Sequence, residues 1–173
     1  MDKLQKNIPN HWKWVTLDDI SVTSSGGTPD RKNSKNFKGD IPWVKSGELN
    51  FNTITETEEY INQEALDYSS AKIFPKGSLL IALYGNTVGR MAFLGVDAAT
   101  NQAVASITPF HINPKYLYYY LMSSKEDLLN KREGRAQPNI SQKVLNNFPF
   151  PLSSVEEQNR IVEKIEELFS QLE

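Results

Sequence analysis

The most regular hydrophobic pattern in the chain lies at its C-terminal end. Residues 148–151 are held extended by two prolines. Beyond them, apolar residues recur at spacings of four, three and four, the period of an amphipathic helix: Ile161, Ile165, Leu168 and Leu172. Ser154 stands at the N-cap position, and Glu157 three residues later completes a capping box. The pattern predicts a helix that begins at Ser154 and carries an acidic face opposite its apolar stripe.

This apolar stripe needs a covering surface, and two arrangements fit it. The helix either docks on its own domain, as amphipathic helices usually do, or continues beyond Glu173 and pairs with a second helix. The apolar repeat covers less than two heptads. Periodicity alone therefore leaves both alternatives open.

The rest of the chain alternates short apolar runs with polar turns. Strands are predicted at residues 78–84, 90–94 and 103–107, and Trp12 and Trp14 share one face of an N-terminal strand. Pro114 suits the first turn of a helix, and helices are predicted near residues 62–67, 115–133 and 141–147. The tyrosines at 118–120 point in different directions on such a helix, so we expect core packing rather than base stacking. The fold class is therefore α+β: a twisted, mostly antiparallel β-sheet with flanking helices, followed by the C-terminal helix.

Composition excludes several function classes. The chain has 173 residues, 39% of them hydrophobic, which is enough for one domain with its own core, and no apolar run reaches the length of a membrane span. It has no cysteine, which excludes disulfides and thiolate metal sites and is typical of a cytoplasmic protein. The two histidines, His11 and His111, are far apart in sequence, so no metal site is expected.

Charge is segregated along the chain. The net charge is −2, yet residues 31–45 contain five basic residues and only Asp40 as an acidic one. A second basic cluster comprises Lys131, Arg132, Arg135 and Lys143, whereas the C-terminal helix is acidic. For any single lysine, an ordinary solvated loop is the simpler interpretation. Two basic clusters on one body are also what a surface that follows a phosphate backbone requires.

The sequence shows no clear catalytic constellation. Asp30 and Lys32, with Asp19 upstream, loosely match the acidic-x-Lys pattern of metal-dependent nucleases, in which carboxylates hold magnesium. Such short patterns occur often by chance, and two histidines offer no Ser-His-Asp order. The sequence predicts a non-catalytic chain. A metal-dependent nuclease using Asp30 and Lys32, and a protein-interaction module whose basic loops only aid solubility, are the alternatives.

An ordered set of short segments is similar to a known family. The segments are Trp-Val-Thr-Leu-Asp-Asp-Ile at 14–20, Gly-Gly-Thr-Pro at 26–29, Ile-Pro-Trp-Val at 41–44, Pro-Lys-Gly-Ser-Leu-Leu-Ile at 75–81, Gly-Asn-Thr-Val-Gly-Arg at 85–90, Asn-Gln-Ala at 101–103, Gln-Pro-Asn-Ile-Ser at 137–141, Pro-Phe-Pro at 149–151 and Glu-Gln-Asn-Arg-Ile-Val at 157–162. Together they resemble the specificity (S) subunit of type I restriction–modification enzymes. The resemblance implies a target-recognition domain at residues 1–152 and the start of a conserved spacer and dimerisation helix at 153–173.

The resemblance implies a reader of double-stranded DNA. A complete S subunit of this family has two recognition domains separated by two long helices, and it reads a bipartite site. Modification subunits supply S-adenosylmethionine chemistry on adenine, and restriction subunits supply ATP-driven translocation and cleavage. S-adenosylmethionine, ATP and magnesium are thus implied for the partner subunits, and this chain is expected to bind no cofactor itself. A single recognition domain fits either a fragment or a half-subunit that works as a homodimer through the C-terminal helix.

Candidate DNA contacts are polar and basic side chains on loops of the body, which are suited to phosphates or base edges. They are Arg31, Lys32, Lys35, Lys38, Lys45, Ser46, Tyr84, Asn86, Arg90, Arg135 and Gln137. The partner-helix interface is expected at Ile161, Ile165, Leu168 and Leu172. Three alternatives stay open: Asn86 as a turn former, Arg90 as a buried structural cation, and Asn101 with Gln102 as partners of backbone groups.

Overall fold

The computed structural model describes residues 7–132 and 139–172. Its strands are β1 Lys13–Thr16, β2 Ser21–Ser25, β3 Ile41–Val44, β4 Thr53–Ile54, β5 Glu59–Ile61, β6 Ile73–Phe74, β7 Leu79–Ala82, β8 Met91–Leu94, β9 Ala98–Thr100, β10 Val104–Pro109 and β11 Pro149–Leu152. Its helices are α1 Leu17–Ile20, α2 Gln63–Asp67, α3 Pro114–Ser123, α4 Lys125–Asn130, α5 Gln142–Asn146 and α6 Val155–Ser170. Short 3₁₀ turns lie at Ser34–Phe37, Ser46–Glu48 and Gly85–Thr87. The predicted α+β class is confirmed.

The strands are distributed over three sheets in the part of the chain that the structure describes. One sheet has the order β2-β10-β7-β8-β4, a second has β5-β3-β9-β6, and β1 pairs with β11. The pairs β3–β9 and β4–β8 are parallel, and the other ladders are antiparallel. The prediction of mostly antiparallel pairing is therefore confirmed.

Strand β7 lies at the centre of the core and is buried on both faces. Leu79 and Ile81 belong to the largest apolar cluster, which also receives side chains from α3 and β11. Leu80 and Ala82 face the other way, into a second cluster with Val44. Because both faces are covered, β7 is a continuous apolar run rather than an alternating one.

The prediction of one continuous helix near residues 115–133 is wrong. The chain forms α3 and α4, which are separated at Ser124. Ser123 Oγ donates to the carbonyl oxygen of Tyr120 at 2.8 Å, the same oxygen that accepts from Ser124 N at 3.0 Å. A serine hydroxyl that competes for a helix carbonyl bends the helix. The Ser123-Ser124 pair therefore interrupts the predicted helix.

Helix α6 begins where the sequence predicts. Ser154 Oγ accepts from Glu157 N at 3.3 Å, which is the N-cap bond. Gln158 is fully buried at the start of α6: its Oε1 accepts from Asn113 N at 2.8 Å, and its Nε2 donates to Ser153 O at 2.9 Å. This amide fixes the first turn of α6 to the N-terminus of α3. No helix within residues 7–132 or 139–172 has both the length and the apolar character to cross a bilayer.

Candidate nucleic-acid interface

Several loops meet at one edge of the molecule. Strands β3 and β9 run parallel, so the residues that follow them, Lys45 and Asn101, emerge side by side, and Asn101 N donates to Val44 O at 2.9 Å. The chain then returns in β10 beside β7, where Leu83 N donates to Ala103 O at 2.8 Å. The loops after β3, β7 and β9 thus form one continuous edge, which we call the loop edge.

The turn between β7 and β8 carries the predicted contacts Tyr84, Asn86 and Arg90 to the loop edge. Gly85 and Gly89 adopt φ values of +77° and +76°, a conformation that favours glycine. Asn86 is exposed, and its side chain forms no hydrogen bond with any residue that the structure describes. The glycines therefore shape this turn, and the amide of Asn86 stays available.

Arg90 is a half-buried cation at the end of the same turn. Its guanidinium has no ion pair or hydrogen bond to a residue within 7–132 or 139–172. A structural role for a cation at this depth needs an anionic or hydrogen-bonded partner. The absence of such a partner within these ranges favours a role at the surface over the alternative of a buried structural cation.

Arg31 and Lys45 form ion pairs with acidic side chains, and these ion pairs could not be predicted from the sequence. Arg31 Nη1 lies 2.5 Å from Glu59 Oε2, and Lys45 Nζ lies 2.6 Å from Glu58 Oε2 and 3.0 Å from Glu59 Oε1. The hydrogen bond from Arg31, and then that from Lys45, lower the pKa of Glu59. The hydrogen bonds that Lys45 donates to Glu58 and Glu59 raise the pKa of Lys45. The strongly basic cluster expected at 31–45 is therefore partly neutralised by Glu59 of β5, which pairs with β3, and by Glu58 just before it.

The segment 30–38 is folded against the second sheet. The Arg31 guanidinium stacks over Phe37 and Trp43, at 4.3 and 4.7 Å from the ring centroids. Buried Asn36 donates from Nδ2 to Asp30 O at 3.0 Å. The side chains of Lys32, Lys35 and Lys38 remain exposed, without ion pairs to described residues.

Of the three remaining predicted contacts, the structure describes only Ser46, which lies at the loop edge. Ser46 is half-buried and begins a 3₁₀ turn directly after Lys45. Arg135 and Gln137 lie outside the described residues. Asn139, which follows that gap, forms a β-bridge with Tyr84. Of the second basic cluster, Lys131 and Lys143 line one cleft of about 260 Å³.

The side chain of Asn101 hydrogen-bonds to a backbone group, which is one of the alternatives that the sequence left open. Its Oδ1 accepts from Ala103 N at 3.1 Å. Gln102 is exposed and accepts from the Thr28 hydroxyl.

Sequence reasoning missed two residues near the loop edge, Phe51 and Lys125. The sequence around Phe51 gives only a weak indication of a binding role, an aromatic residue between two asparagines, and we found no such indication for Lys125.

The predicted partner-helix residues divide into two groups. Ile161 and Ile165 are half-buried, and both line an apolar groove of about 290 Å³ with Trp12 and Tyr119. Leu168 and Leu172 are 50% and 82% exposed. The α6 helix is therefore docked on its own domain as far as Ile165, while Leu168 near its C-terminal end and Leu172 just beyond that end are exposed.

The tyrosines of α3 pack inward, which confirms the core-packing prediction. Tyr118, Tyr119 and Tyr120 all contact the largest apolar cluster. Tyr120 Oη donates to Pro149 O at 2.7 Å, and burial raises the pKa of Tyr120 to about 12. The rings of Tyr119 and Tyr120 hold α3 against α6 and β11, and Tyr118 packs on Phe93 of β8, so the three rings do not form a platform for bases.

Nothing in the structure supports the nuclease alternative. Asp19 Oδ2 accepts from Thr16 N at 2.7 Å and from Thr16 Oγ1 at 2.8 Å, bonds that lower its pKa. Asp30 Oδ1 accepts from Lys32 N at 2.9 Å. Each carboxylate thus accepts hydrogen bonds from residues two or three positions away in its own turn. Among the described residues, no three histidine or acidic side chains are grouped to hold a metal.

Solved structures share this fold. A chain from a structure on complex assembly and conformational transition of the type I R-M system superposes with a TM-score of 0.79 at 23% identity, over 98% of this chain and 41% of that one. The crystal structure of the HsdS subunit from Thermoanaerobacter tengcongensis gives a TM-score of 0.77 at 23% identity, over 98% and 40%.

Sequence comparison gives the family. The chain is 33% identical over 159 residues to the EcoR124I/EcoR124II specificity subunit of Escherichia coli, covering 87% of this chain and 39% of the relative. It is 30% identical over 160 residues to the MjaIX specificity subunit of Methanocaldococcus jannaschii, covering 89% and 37%. The chain thus spans less than half the length of these relatives. The model of the type I restriction modification DNA specificity domain matches residues 9–173, so this chain belongs to that family.

Proposed function

We propose that this chain reads DNA for a type I restriction–modification complex. It recognises a sequence in double-stranded DNA, positions modification subunits on a bipartite site, and catalyses no reaction itself. The observation that carries the proposal is Arg90, a half-buried cation without a described partner, at the end of the glycine turn that also carries Asn86. Arginine and asparagine form bidentate pairs with guanine and adenine, so these two residues can read base edges.

Phosphate contacts would come from cations that are not neutralised within the described fold. Lys32, Lys35 and Lys38 are exposed, and they can contact phosphate without first breaking an ion pair with a described residue. Arg31 and Lys45 are held by Glu58 and Glu59, so a contact of theirs with phosphate requires that an ion pair be exchanged. Arg135 and Gln137 remain predicted contacts from the segment between the described ranges. Lysines of this kind set the position and the register of the protein on the duplex, and the base contacts supply the specificity.

Protein partners would bind the C-terminal end of α6 and the residues just beyond it. Leu168, Phe169 and Leu172 are exposed, and an apolar helix face of this kind suits another helix. That helix belongs either to a second copy of this chain or to the remainder of a longer subunit. Modification and restriction subunits complete the assembly.

The chain is proposed to bind no cofactor and to act in the cytoplasm. S-adenosylmethionine belongs to the modification subunits, and ATP and magnesium belong to the partner subunits that act on them. This chain supplies only the position on DNA at which that chemistry takes place.

A binding series in salt tests the proposal against the protein-interaction alternative. The chain is purified with its modification subunits, and its affinity for a randomised duplex library is measured between 50 and 200 mM salt, roughly the range in which phosphate contacts dominate. We expect binding that weakens steeply with salt and enriches one sequence. No binding at the lowest salt would leave the interaction module as the better account.

A further inference from the structure

Phe51 combines two features that are unfavourable for folding. Its φ angle is +58°, a conformation that bulky side chains rarely adopt. Its ring is also 40% exposed to solvent. Strained conformations of this kind persist where the surrounding structure imposes them, and they cluster at functional sites.

The backbone around Phe51 is fixed on both sides by β8. Phe51 N donates to Met91 O at 2.7 Å, and Phe93 N donates to Asn52 O at 2.9 Å. These bonds continue directly into the parallel pairing of β4 with β8. The ring is therefore presented from a rigid support next to Arg90, which immediately precedes β8.

Lys125 joins Phe51 to the turn of the loop edge. Its Nζ lies 5.3 Å from the centroid of the Phe51 ring, within the range of a cation–π contact. Its side chain also crosses Gly89, where an added Cβ would lie 3.4 Å from Lys125 Cε. Lys125 has no ion pair with a described residue. Phe51 and Lys125 thus form an aromatic–cationic pair against the turn that carries Asn86 and Arg90.

We propose that Phe51 contacts the C5-methyl group of a thymine in the recognised sequence and that Lys125 contacts a neighbouring phosphate. The inference rests on the proposed function and names two further residues for it. Phenylalanine is suited to the thymine methyl in the major groove, where it adds an apolar contact to base-edge hydrogen bonds. The ammonium group of Lys125, held over the ring, places positive charge next to that contact.

Removing one methyl group from the DNA tests the contact with Phe51. The full chain, in complex with its modification subunits, first selects its preferred sequence from a randomised duplex library. Each thymine of that sequence is then replaced singly by deoxyuridine, which lacks only the C5-methyl. For the wild-type chain, we expect one position to lose about four-fold in affinity, the value for burial of one methyl-sized group. For the Phe51→Gly variant, the same replacement of thymine by deoxyuridine should leave the affinity unchanged.

Phe51→Gly separates recognition from folding. Glycine adopts a φ of +58° without strain, so the melting temperature should stay close to that of the wild type. Lys125→Gln should weaken binding to all sequences alike and reduce the salt slope by about one. An unchanged salt slope in Lys125→Gln would overturn the phosphate contact.

The outcomes distinguish this inference from the proposed function. A wild-type complex that enriches no sequence would overturn the proposed function and this inference with it. A wild-type complex that enriches a sequence, but loses the same affinity on uracil replacement as the Phe51→Gly complex does, would overturn the role of Phe51 alone.

Discussion

The indole nitrogen of Trp12 donates a hydrogen bond to Oε2 of Glu157 at 2.9 Å. His11 Nε2 lies 3.1 Å from the same oxygen. The carboxylate of Glu157 therefore faces the N-terminal segment, while Ser154 still caps the helix through Glu157 N. This bond ties the chain just before β1 to the first turn of α6, across 145 positions in sequence.

Trp12→Phe should lower the free energy of unfolding by about 1.5–3 kcal/mol. The substitution removes the indole donor to a carboxylate in a half-buried position, where a hydrogen bond to a charged group contributes in this range. Urea unfolding followed by circular dichroism measures the change. Trp14→Phe is the matched control, because the Trp14 indole forms no hydrogen bond to a described residue. Equal losses in both variants would show that ring size, not the bond, matters.

Glu59→Gln should strengthen DNA binding at low salt. The substitution removes the carboxylate charge that Arg31 and Lys45 share. Lys45 keeps its ion pair with Glu58, so the cation that becomes available to phosphate is Arg31. Fluorescence anisotropy against one duplex at several salt concentrations should show higher affinity and a steeper salt slope. Glu126→Gln changes the net charge by the same amount, but Glu126 has no ion pair with a described residue. A gain of the same size in Glu126→Gln would mean that overall charge explains the effect.

Arg90→Gln should weaken binding to the preferred sequence by about 1–3 kcal/mol, the usual cost of losing one bidentate arginine–guanine pair. Because Arg90 has no described partner, the melting temperature should change little. Lys76→Gln is the control, since Lys76 is exposed and precedes β7, whereas the turn with Arg90 follows it. A large drop in melting temperature for Arg90→Gln would instead support a structural cation.

Leu172→Asp should weaken association with a helix partner while leaving the fold intact. Leu172 is 82% exposed, so a charge at this position disturbs only a surface that covers the helix from outside. Ile165→Asp should lower both association and stability, because Ile165 is half-buried in the groove with Tyr119. Light scattering and thermal melts of the two variants give the comparison. Unchanged association in Leu172→Asp would remove the residues that follow α6 from the interface.

The sequence predicted elements whose signals are local. The N-cap of Ser154, the strand around Ile81 and the helix after Asn62 each depend on residues that are neighbours in the chain. Asn62 Oδ1, for example, accepts from Ala65 N at 2.8 Å. Capping chemistry and apolar runs of this kind can be recognised without a structure.

Features that depend on distant residues could not be predicted. The acids that neutralise Arg31 and Lys45 come from β5 and the residue before it, and only the pairing of β3 with β5 brings them close. The same holds for Phe51, whose φ is imposed by a bond to Met91 in another strand. Charge counted along the chain therefore overestimated the basic surface, and the strained aromatic residue was not recognised.

Methylation mapping tests the central claim most directly. The chain is co-expressed with the modification subunit of its own system, and modified adenines are located by single-molecule sequencing. The account predicts methylation within one defined bipartite sequence, palindromic if two copies of this chain act together. The absence of both methylation and a stable complex with the modification subunit would contradict it.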